Sequence, residues 1–402
     1  MMKMGFKSVV INPEFPVNRM LNHRGEKHQA CWDDLHIRMI VLEAEGHKPW
    51  YHISIDAVEI WLEIRNRIKQ AVEETVGREI DIVVSATHSH NCPCMTTDYA
   101  WIDFVIEKIR ANVGTIEMTE YKDVTYSYQY RYFNKIGDSR EADMKHRAVH
   151  LYAETLSLYG DGERRITFLI HNCHPTILAL WESDFTSEYP GYCIKKLSEA
   201  HPGEFFTFLL GPAGDVSPHF VRKNKEYEEI ARLGDILTAE FERQLSHQEN
   251  REPVNAFRYR EQMIKVEKGD PISMGTAYLP PAERLTPQEK TTLEQRYLNP
   301  RRFSDRQLEP MEITDESMFS QLILNENYSI IFEPHELYSE FYGAVNKQTT
   351  TLATISNGFD HYVTGMYLNH ITMHTFSDFG PRMKRDMWEL LGKWSLQEDA
   401  EF

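Results

Sequence analysis

Residues 80–93, IDIVVSATHSHNCP, join a short β-branched apolar run to two histidines. Such a run is typical of a buried parallel strand. The segment before it, IWLEIRNRIKQAVEETVG (60–77), repeats apolar residues at helical spacing and closes on Gly77, which predicts a helix with a glycine C-cap. Earlier still, RMIVLEAE (38–45) and WYHISIDAV (50–58) are typical of strands. The first part of the chain therefore alternates between strand and helix.

The alternation continues through the rest of the chain. Further strands are predicted for HRAVHLYAET (146–155), RRITFLIHN (164–172), FFTFLLG (205–211), YSIIFEP (328–334) and TTTLATISNG (349–358). Helices are predicted for PGYCIKKLSEAH (190–201), for residues 226–245 and for ELYSEFYGAVN (336–346). This order predicts an α/β fold with a mixed, largely parallel central sheet and flanking helices.

Residues 281–318 break the pattern, because the composition shifts there to proline, arginine and glutamate with few β-branched residues. A connection of that length without strands is uncommon inside a compact domain. We interpret it as an inserted helical excursion or long loop that packs near the site. The whole chain, residues 1–402, is therefore predicted to form a single domain.

Composition limits the classes of function that the chain can have. The 402 residues are 41% hydrophobic and 26% charged, which is ordinary for a globular protein and excludes a mainly disordered chain. The formal net charge is −17, from 44 basic against 61 acidic residues. A surface this acidic repels phosphate backbones and anionic lipids. We therefore expect a small-molecule substrate, no nucleic acid and no stable membrane association, and the sequence leaves open whether the chain forms a homo-oligomer.

The sequence favours a cytoplasmic protein with free thiols. No stretch approaches the roughly 18 apolar residues that a membrane span needs, and the N-terminus has no apolar signal-peptide region. Five cysteines, an odd number in a long chain, argue against a disulfide framework. Cys92 and Cys94 flank a proline, but no second pair accompanies them, so buried free thiols are the favoured interpretation over a thiolate site.

Polar clusters follow several of the predicted strands. They are Thr87–His90, His171–Thr176, Gly211–Pro218, His335–Glu336 and Asn357–Tyr362. In open α/β sheets ligands bind at the carboxyl ends of strands, and neutral imidazole and carboxylate are the ligands that catalytic zinc uses. Each cluster alone can also be explained by a structural role without any function in binding or catalysis. A His-x-His pair is often a surface pair, and a Gly-rich loop with Asp and Ser is often a turn that ends a strand.

The His-x-His pair carries one geometric condition. At the end of a strand, both rings of such a pair point into one crevice only where the chain bends. We therefore expect one ring to bind a metal and the other to act beside it. His174 precedes a proline, which holds it in an extended conformation and aims its ring.

Taken in order, these clusters resemble the catalytic domain of the neutral, non-lysosomal ceramidase family. The family's T-H-T-H-S-G-P stretch is similar to residues 87–93, its N-x-x-C-H-P-T segment to 171–176, and its G-D-V-S-P-N signature to 214–218. Its late strand–Glu–helix segment and its N-x-Y-x-x-Y-V-T segment are similar to Glu336 and 357–364. The resemblance runs over nearly the whole chain, and GDVSP is its most specific element.

The resemblance implies one catalytic zinc ion per chain, with four ligands: His88, His174, Glu336 and Tyr362. It further implies that His90 carries a proton or stabilises an oxyanion. Ser217 becomes the family's catalytic serine, supported by Asp215. The family's Asn-Arg pair is similar to Asn134 and Lys135 here, which keeps the charge but loses the bidentate geometry of arginine.

The chain also departs from the family. His219 replaces the asparagine after GDVSP, and Phe359 replaces the first tyrosine of the late segment. Asn91 and Cys92 replace a Ser-Gly pair in the pocket wall. Typical ceramidases are secreted and carry a C-terminal immunoglobulin-like domain, and we expect neither feature here. The predicted hydrolytic chemistry is therefore better supported by the sequence than ceramide as the substrate.

We predict a zinc-dependent amidohydrolase that cleaves a C–N amide bond, or a related ester, of a small N-acyl substrate by zinc-activated water. Two alternatives stay open. One is a metal-dependent hydrolase of another bond, glycosidic or phosphoester, on the same scaffold. The other is a non-catalytic protein whose clusters bind metal for structure. The sequence also leaves open whether Ser217 or the activated water is the nucleophile, although no histidine is evidently available to activate Ser217 once His88 and His174 bind metal.

Overall fold

The computed structural model describes residues 1–19, 27–139, 149–178, 184–265, 316–358, 362–363 and 381–399, with backbone alone at 362–363 and 381–384. The strands are β1 (Met2–Val10), β2 (Val17–Asn18), β3 (Lys27–His28), β4 (His36–Ala44), β5 (Trp50–Ile55), β6 (Asp81–Ala86), β7 (Met118–Tyr121), β8 (Val124–Tyr132), β9 (Asp138–Ser139), β10 (Tyr152–Gly160), β11 (Glu163–His171), β12 (Phe205–Leu210), β13 (Val216–Ser217), β14 (Glu252–Pro253), β15 (Arg258–Lys265), β16 (Glu316–Asn325), β17 (Tyr328–Phe332), β18 (Glu336–Leu337), β19 (Thr350–Ala353) and β20 (Tyr362–Val363). The helices are α1 (Leu62–Val76), α2 (Tyr99–Val113), α3 (Glu188–Ala200), α4 (Tyr227–Leu245) and α5 (Pro381–Ser395).

Three sheets of four or five strands make up the body of the described structure. The first has the strand order β6-β5-β4-β1-β7, the second β12-β11-β10-β8-β14, and the third β15-β16-β17-β19. Three two-stranded ladders accompany them, and two of these, β13-β9 and β18-β20, carry predicted site residues. The prediction of an α/β fold with mixed sheets is confirmed.

The prediction that the sheet is largely parallel is wrong. Each of the three large sheets contains one parallel pair, β5-β6, β11-β12 and β17-β19, and the other pairs in these sheets are antiparallel. The reason lies in the connections, since a tight turn can join only antiparallel neighbours. The turn at 161–162 between β10 and β11 is one example, whereas the parallel pairs β5-β6 and β11-β12 are each joined across a helix.

The helices predicted by periodicity lie where the apolar spacing places them. Helix α1 buries Ile64, Ile68, Ala71 and Val72 on one face, and Gly77 caps it with a left-handed φ of 70°. This positive φ is what glycine adopts without steric cost. Helices α3 and α4 begin within two residues of the predicted starts.

One predicted helix is wrong. Residues 336–346 form the short strand β18 followed by a five-residue 3₁₀ helix, Ser339–Gly343. Tertiary contacts take the place of α-helical hydrogen bonds in this segment. Ser339 donates both its backbone N–H and its hydroxyl to the Asp215 carboxylate, at 2.6 and 2.9 Å.

The buried apolar side chains of the sheets form two large clusters. One joins α1, α2, α3 and α4 to one face of each five-stranded sheet, and the other lies among the opposite faces, the third sheet and α5. All nine residues of β10 are buried as a result, because both faces of that strand are covered. The strands β6 and β11 each lead, at their carboxyl ends, into a loop. These two loops carry the histidine clusters.

Most of the segment 281–318 lies outside the described residues, and its last three residues begin β16. The single-domain interpretation therefore stays a prediction. None of the helices in the described ranges is both long enough and apolar enough to cross a membrane.

A buried glutamate lies between the second and third sheets. Glu154 on β10 accepts hydrogen bonds from the Tyr342 hydroxyl and, at 3.0 Å, from the Thr351 hydroxyl. Burial raises the pKa of this carboxyl group to about 7, although these hydrogen bonds act in the opposite direction. Because the folded chain retains a proton that the unfolded chain releases, the stability associated with Glu154 falls as the pH rises through about 7.

Glu154→Gln should therefore gain stability relative to the wild type as the pH is raised from 5 to 8. A pKa increase from 4.5 to about 7 corresponds to about 3 kcal/mol at most in the free energy of unfolding. Thermal or urea unfolding at a series of pH values measures the difference. Glu229→Gln is the matched control, since Arg232 lowers the pKa of that buried carboxylate and its loss should cost a constant amount over the same range.

Candidate metal centre

The first two histidines lie on a sharp bend at the end of β6. Thr87 still donates its backbone N–H to Ile55 of the neighbouring strand, and His88 then adopts a φ of 63°. A non-glycine residue in this region costs about 1–3 kcal/mol and persists only where its surroundings hold it. The rings of His88 and His90 lie 4.7 Å apart across this bend, centroid to centroid.

Backbone carbonyl groups hold the rings of His88 and His174. The Nδ1 atom of His88 lies 2.7 Å from the carbonyl oxygen of Val58, in the loop after β5. Nδ1 of His174 lies 2.8 Å from the Ala213 oxygen and 2.9 Å from the Val216 oxygen. A carbonyl oxygen can only accept, so both Nδ1 atoms carry the proton and both Nε2 atoms present a lone pair.

Glu336 reaches the same point from the third part of the chain. It lies in β18, whose parallel partner β20 pairs Glu336 with Tyr362. The backbone register thus confirms that these two predicted ligands are neighbours, and the Tyr362 side chain lies outside the described residues. Glu336 is fully buried together with His88 and His174.

Three acceptor atoms converge in this buried space. Oε1 of Glu336 lies 3.5 Å from Nε2 of His88 and contacts Nε2 of His174. Two ring lone pairs and a carboxylate oxygen repel one another unless a positive charge lies between them, and nitrogen and oxygen ligands of this kind suit zinc. The donor set therefore fits a metal ion.

His90 lies close enough to belong to the same group. Its Nε2 atom is 3.2 Å from Nε2 of His88, and the candidate ligand atoms of His88, His90 and His174 all lie within 4.8 Å of one another. All three residues are buried. These three histidines could hold a metal, and the division between ligand and proton carrier predicted for His90 stays a prediction.

The GDVSP loop packs directly against the strand that carries Glu336. A Cβ atom added to Gly214 would lie 2.8 Å from the Glu336 carbonyl oxygen and 3.0 Å from that of Leu337, and Gly214 donates its N–H to the Leu337 oxygen at 2.7 Å. The glycine is therefore required for close approach rather than for a turn. The loop's proximity to Glu336 is a contact that the sequence does not reveal.

Ser217 and Asp215 are both buried in this loop but have different partners. The Asp215 carboxylate accepts from Ser339, as described above. The Ser217 hydroxyl oxygen accepts the backbone N–H of His219 at 3.3 Å, and Ser217 pairs with Asp138 in the β13-β9 ladder. Support of Ser217 by Asp215 thus stays a prediction.

Asn134 and Lys135 are exposed and lie just before β9 in the chain. Since β9 pairs with Ser217, the backbone brings this segment toward the GDVSP loop. His219, in the place of the family's asparagine, is also exposed, and its Nδ1 atom lies 3.0 Å from the guanidinium of Arg222. Arg222 also donates to the Thr176 carbonyl oxygen and so ties the two loops together.

Two buried carboxyl groups beside the centre escaped the sequence prediction. Glu59 follows Val58; burial, with a smaller contribution from Glu336, raises its pKa to about 8, and Trp61 donates to it at 3.2 Å. Glu188 accepts the Leu178 N–H at 3.0 Å and lies 3.4 Å from the Asn91 amide, and burial raises its pKa to about 7. Position after a buried strand was the available signal for Glu59, because β5 ends there as β6 ends at the histidines.

The fold matches those of solved ceramidases. The structure of a ceramidase complexed with C2 aligns with a TM-score of 0.76 at 13% identity, covering 100% of this chain and 76% of that one. The neutral ceramidase from Pseudomonas aeruginosa aligns with a TM-score of 0.75 at 12% identity, covering 98% of this chain and 74% of that one. No protein-family model matches the sequence, and no curated protein matches it. The predicted ceramidase-like fold is confirmed by structure alone.

Gly214→Ala should disturb the centre without replacing any of the predicted ligand side chains. The added methyl group meets the backbone of β18, so we expect a loss of about 1–3 kcal/mol in stability together with weaker metal binding. Thermal unfolding and metal content measure the two effects. Gly392→Ala is the control, since its nearest neighbour lies at 3.7 Å and alanine favours the helix α5. Equal behaviour of the two variants would contradict the close-packing argument.

Proposed function

We propose that the protein is a zinc-dependent hydrolase that cleaves the C–N amide bond of a small N-acyl substrate. The observation that carries the proposal is the convergence of His88 and His174 on the buried Glu336 carboxylate. The likeness of the fold to ceramidases supports an amide-cleaving reaction, and the GDVSP loop beside the centre supports a catalytic rather than a structural metal site. Histidine, histidine and carboxylate with a further position left for water or substrate is a set used by catalytic zinc.

His88, His174 and Glu336 would hold the zinc ion, with Tyr362 as the fourth ligand. When bound, zinc lowers the pKa of a water molecule toward 7 and polarises the substrate carbonyl group. Val58, Ala213 and Val216 contribute through their carbonyl oxygens, which fix the Nδ1–H tautomer and leave each Nε2 facing the metal position.

His90 is the residue best placed to move a proton. Its ring lies beside those of His88 and His174, and an imidazole can both accept a proton and return it to the leaving amine. Ser217 is held by the His219 N–H in a loop whose glycine contacts β18, so its hydroxyl group is positioned to hydrogen-bond the substrate. Lys135 and Asn134 are candidates for binding substrate at the entrance.

The substrate class follows from charge and from the centre. A surface with a net charge of −17 disfavours phosphorylated or strongly anionic partners, and small neutral or cationic N-acyl compounds fit it better. Turnover of a panel of N-acyl amides, esters and glycosides distinguishes amide cleavage from cleavage of another bond. A protein that binds zinc tightly but hydrolyses none of them would contradict the proposed function.

The purified protein should contain about one zinc ion per chain. His88→Ala and His174→Ala should each remove most of it, because each deletes a ligand whose loss leaves Glu336 with one imidazole. Elemental analysis after dialysis against a chelator-treated buffer gives the stoichiometry. His52→Gln is the matched control, since His52 is equally buried, hydrogen-bonds Ser85 at 2.8 Å and lies outside the centre. A double variant still fully loaded with zinc would show that the ligand assignment is wrong.

His90→Ala should keep the zinc ion and lower kcat by about 10²–10⁴-fold, because it removes a proton carrier or oxyanion donor. Metal content and steady-state kinetics on the same preparation separate the two effects. Loss of zinc from this variant would instead make His90 a ligand, and normal turnover would remove it from the mechanism.

Ser217→Ala distinguishes the two nucleophiles. We expect a smaller loss of kcat than in His90→Ala and no acyl-enzyme, since His88 and His174 are held by backbone carbonyl groups and face Glu336 rather than Ser217. Mass spectrometry of the wild-type enzyme quenched during turnover is the measurement. A covalent adduct on Ser217 would overturn the assignment of water as the nucleophile.

A further inference from the structure

Immediately before Glu336, three buried polar residues form a hydrogen-bonded chain. Glu333 follows β17, His335 precedes β18, and Ser317 lies near the start of β16. Nδ1 of His335 lies 3.0 Å from Oε2 of Glu333, and Nε2 of His335 lies 3.0 Å from the Ser317 hydroxyl oxygen. All three side chains are completely buried. We call Glu333, His335 and Ser317 the buried triad.

The direction of each hydrogen bond in the buried triad follows from its acceptor. Oε2 of Glu333 also accepts the backbone N–H of His335 at 3.0 Å, so the carboxylate is an acceptor for both atoms of that residue. Nδ1 of His335 therefore carries the proton, and Nε2 accepts from the hydroxyl group of Ser317. This is the same order of groups that serine hydrolases use.

Burial excludes a nucleophilic role for Ser317. A serine nucleophile must reach a substrate carbonyl group, and the exposed fraction of Ser317, like that of His335 and Glu333, is 0%. The ring of His335 is further covered by Phe319, 5.6 Å away between centroids. The role of the buried triad therefore lies in its contacts with other parts of the protein and not in contact with a substrate.

Backbone hydrogen bonds join the buried triad to the residues that end β19 and follow it. Glu333 donates its N–H to Ala353 at 2.9 Å and accepts that of Ser356 at 3.0 Å. The His335 carbonyl oxygen accepts the Ile355 N–H at 3.3 Å, and Ile355 has a left-handed φ of 53°. The same few residues thus fix both the approach to Glu336 and the segment that leads from β19 toward Tyr362.

We propose that the buried triad is a positioning device that fixes the backbone of Glu336 so that its carboxylate meets His88 and His174. This inference rests on the proposed function, because the metal is what the positioned carboxylate would bind. Residues behind a metal ligand typically change metal affinity 10–100-fold when they are replaced. Glu336 reaches the centre from a two-residue strand, and the residues directly before that strand contribute to its position together with β20 and the GDVSP loop.

The test is the zinc affinity of Ser317→Ala, measured by competition with a chromogenic chelator, together with the unfolding temperature of the metal-free proteins. We expect Ser317→Ala to bind zinc about 10-fold more weakly than the wild type, and Ser317→Thr, which keeps the hydroxyl group, to restore the affinity. His335→Asn keeps an N–H donor for Glu333 but lacks the acceptor for Ser317, so it should resemble Ser317→Ala.

Ser157→Ala is the matched control. Ser157 is also completely buried in a strand, and its hydroxyl group bonds that of Thr167, in the middle of β11, at 2.8 Å. Ser157→Ala and Ser317→Ala should lower the unfolding temperature of the metal-free protein by similar amounts, and only Ser317→Ala should weaken zinc binding. Equal zinc affinity in both variants would overturn the positioning role, because the buried triad would then be structural only.

Two further outcomes keep the inference and the proposed function separate. A wild-type protein that binds no zinc overturns the proposed function and the positioning role with it, whereas a zinc-loaded wild type with unaffected triad variants overturns the positioning role alone. Labelling of Ser317 by a fluorophosphonate probe in the folded protein would show an accessible nucleophile and would also overturn it.

Discussion

Two imidazole nitrogens and one carboxylate oxygen lie against one another among buried residues, and the geometry of the surrounding loops depends on this contact. His88 and His174 each donate a hydrogen bond from Nδ1–H to a backbone carbonyl oxygen. The Nε2 atom of each ring can therefore only accept a hydrogen bond or bind a metal. The Glu336 carboxylate lies against both. In a medium of low dielectric constant such an arrangement is strongly unfavourable without a compensating positive charge. A metal site is the arrangement in which these three groups stabilise the fold instead of opposing it.

Polar contacts, in addition to apolar packing, hold the loops around the centre to one another. Glu188 joins the segment after His90 to the segment after His174, and Arg222 joins the latter to the GDVSP loop. Gly214 lets that loop approach β18 closely. Each of these contacts links two segments distant in sequence, which explains how loops from three parts of the chain keep a geometry that a metal requires within a few tenths of an ångström.

The fold is shared with ceramidases, and the chemistry of the pocket is not thereby fixed. At 12–13% identity the shared scaffold explains where the carboxyl ends of the strands lie. The residues around the centre include the buried Glu59 and the exposed His219. Such groups decide which leaving group and which substrate polarity the site accepts, because a fold supports several reactions.

The sequence by itself determined the elements whose pattern is local. The apolar spacing of 60–77 predicts α1, and the β-branched run of 80–87 predicts β6. Both predictions are possible because the burial of one helix face, or of a whole strand, produces a pattern within a short stretch of sequence. The ordered histidine and GDVSP clusters resemble those of the ceramidase family, and this resemblance implied the ceramidase-like fold. Only the tertiary structure decided that the sheets are mainly antiparallel and that 339–343 is a 3₁₀ helix. The resemblance named Glu336 as a ligand together with His88 and His174, and the tertiary structure shows its carboxylate against both histidines although it lies 162 residues after His174. Strand partners, buried charges and close backbone approaches depend on residues far apart in the chain, so no local pattern encodes them.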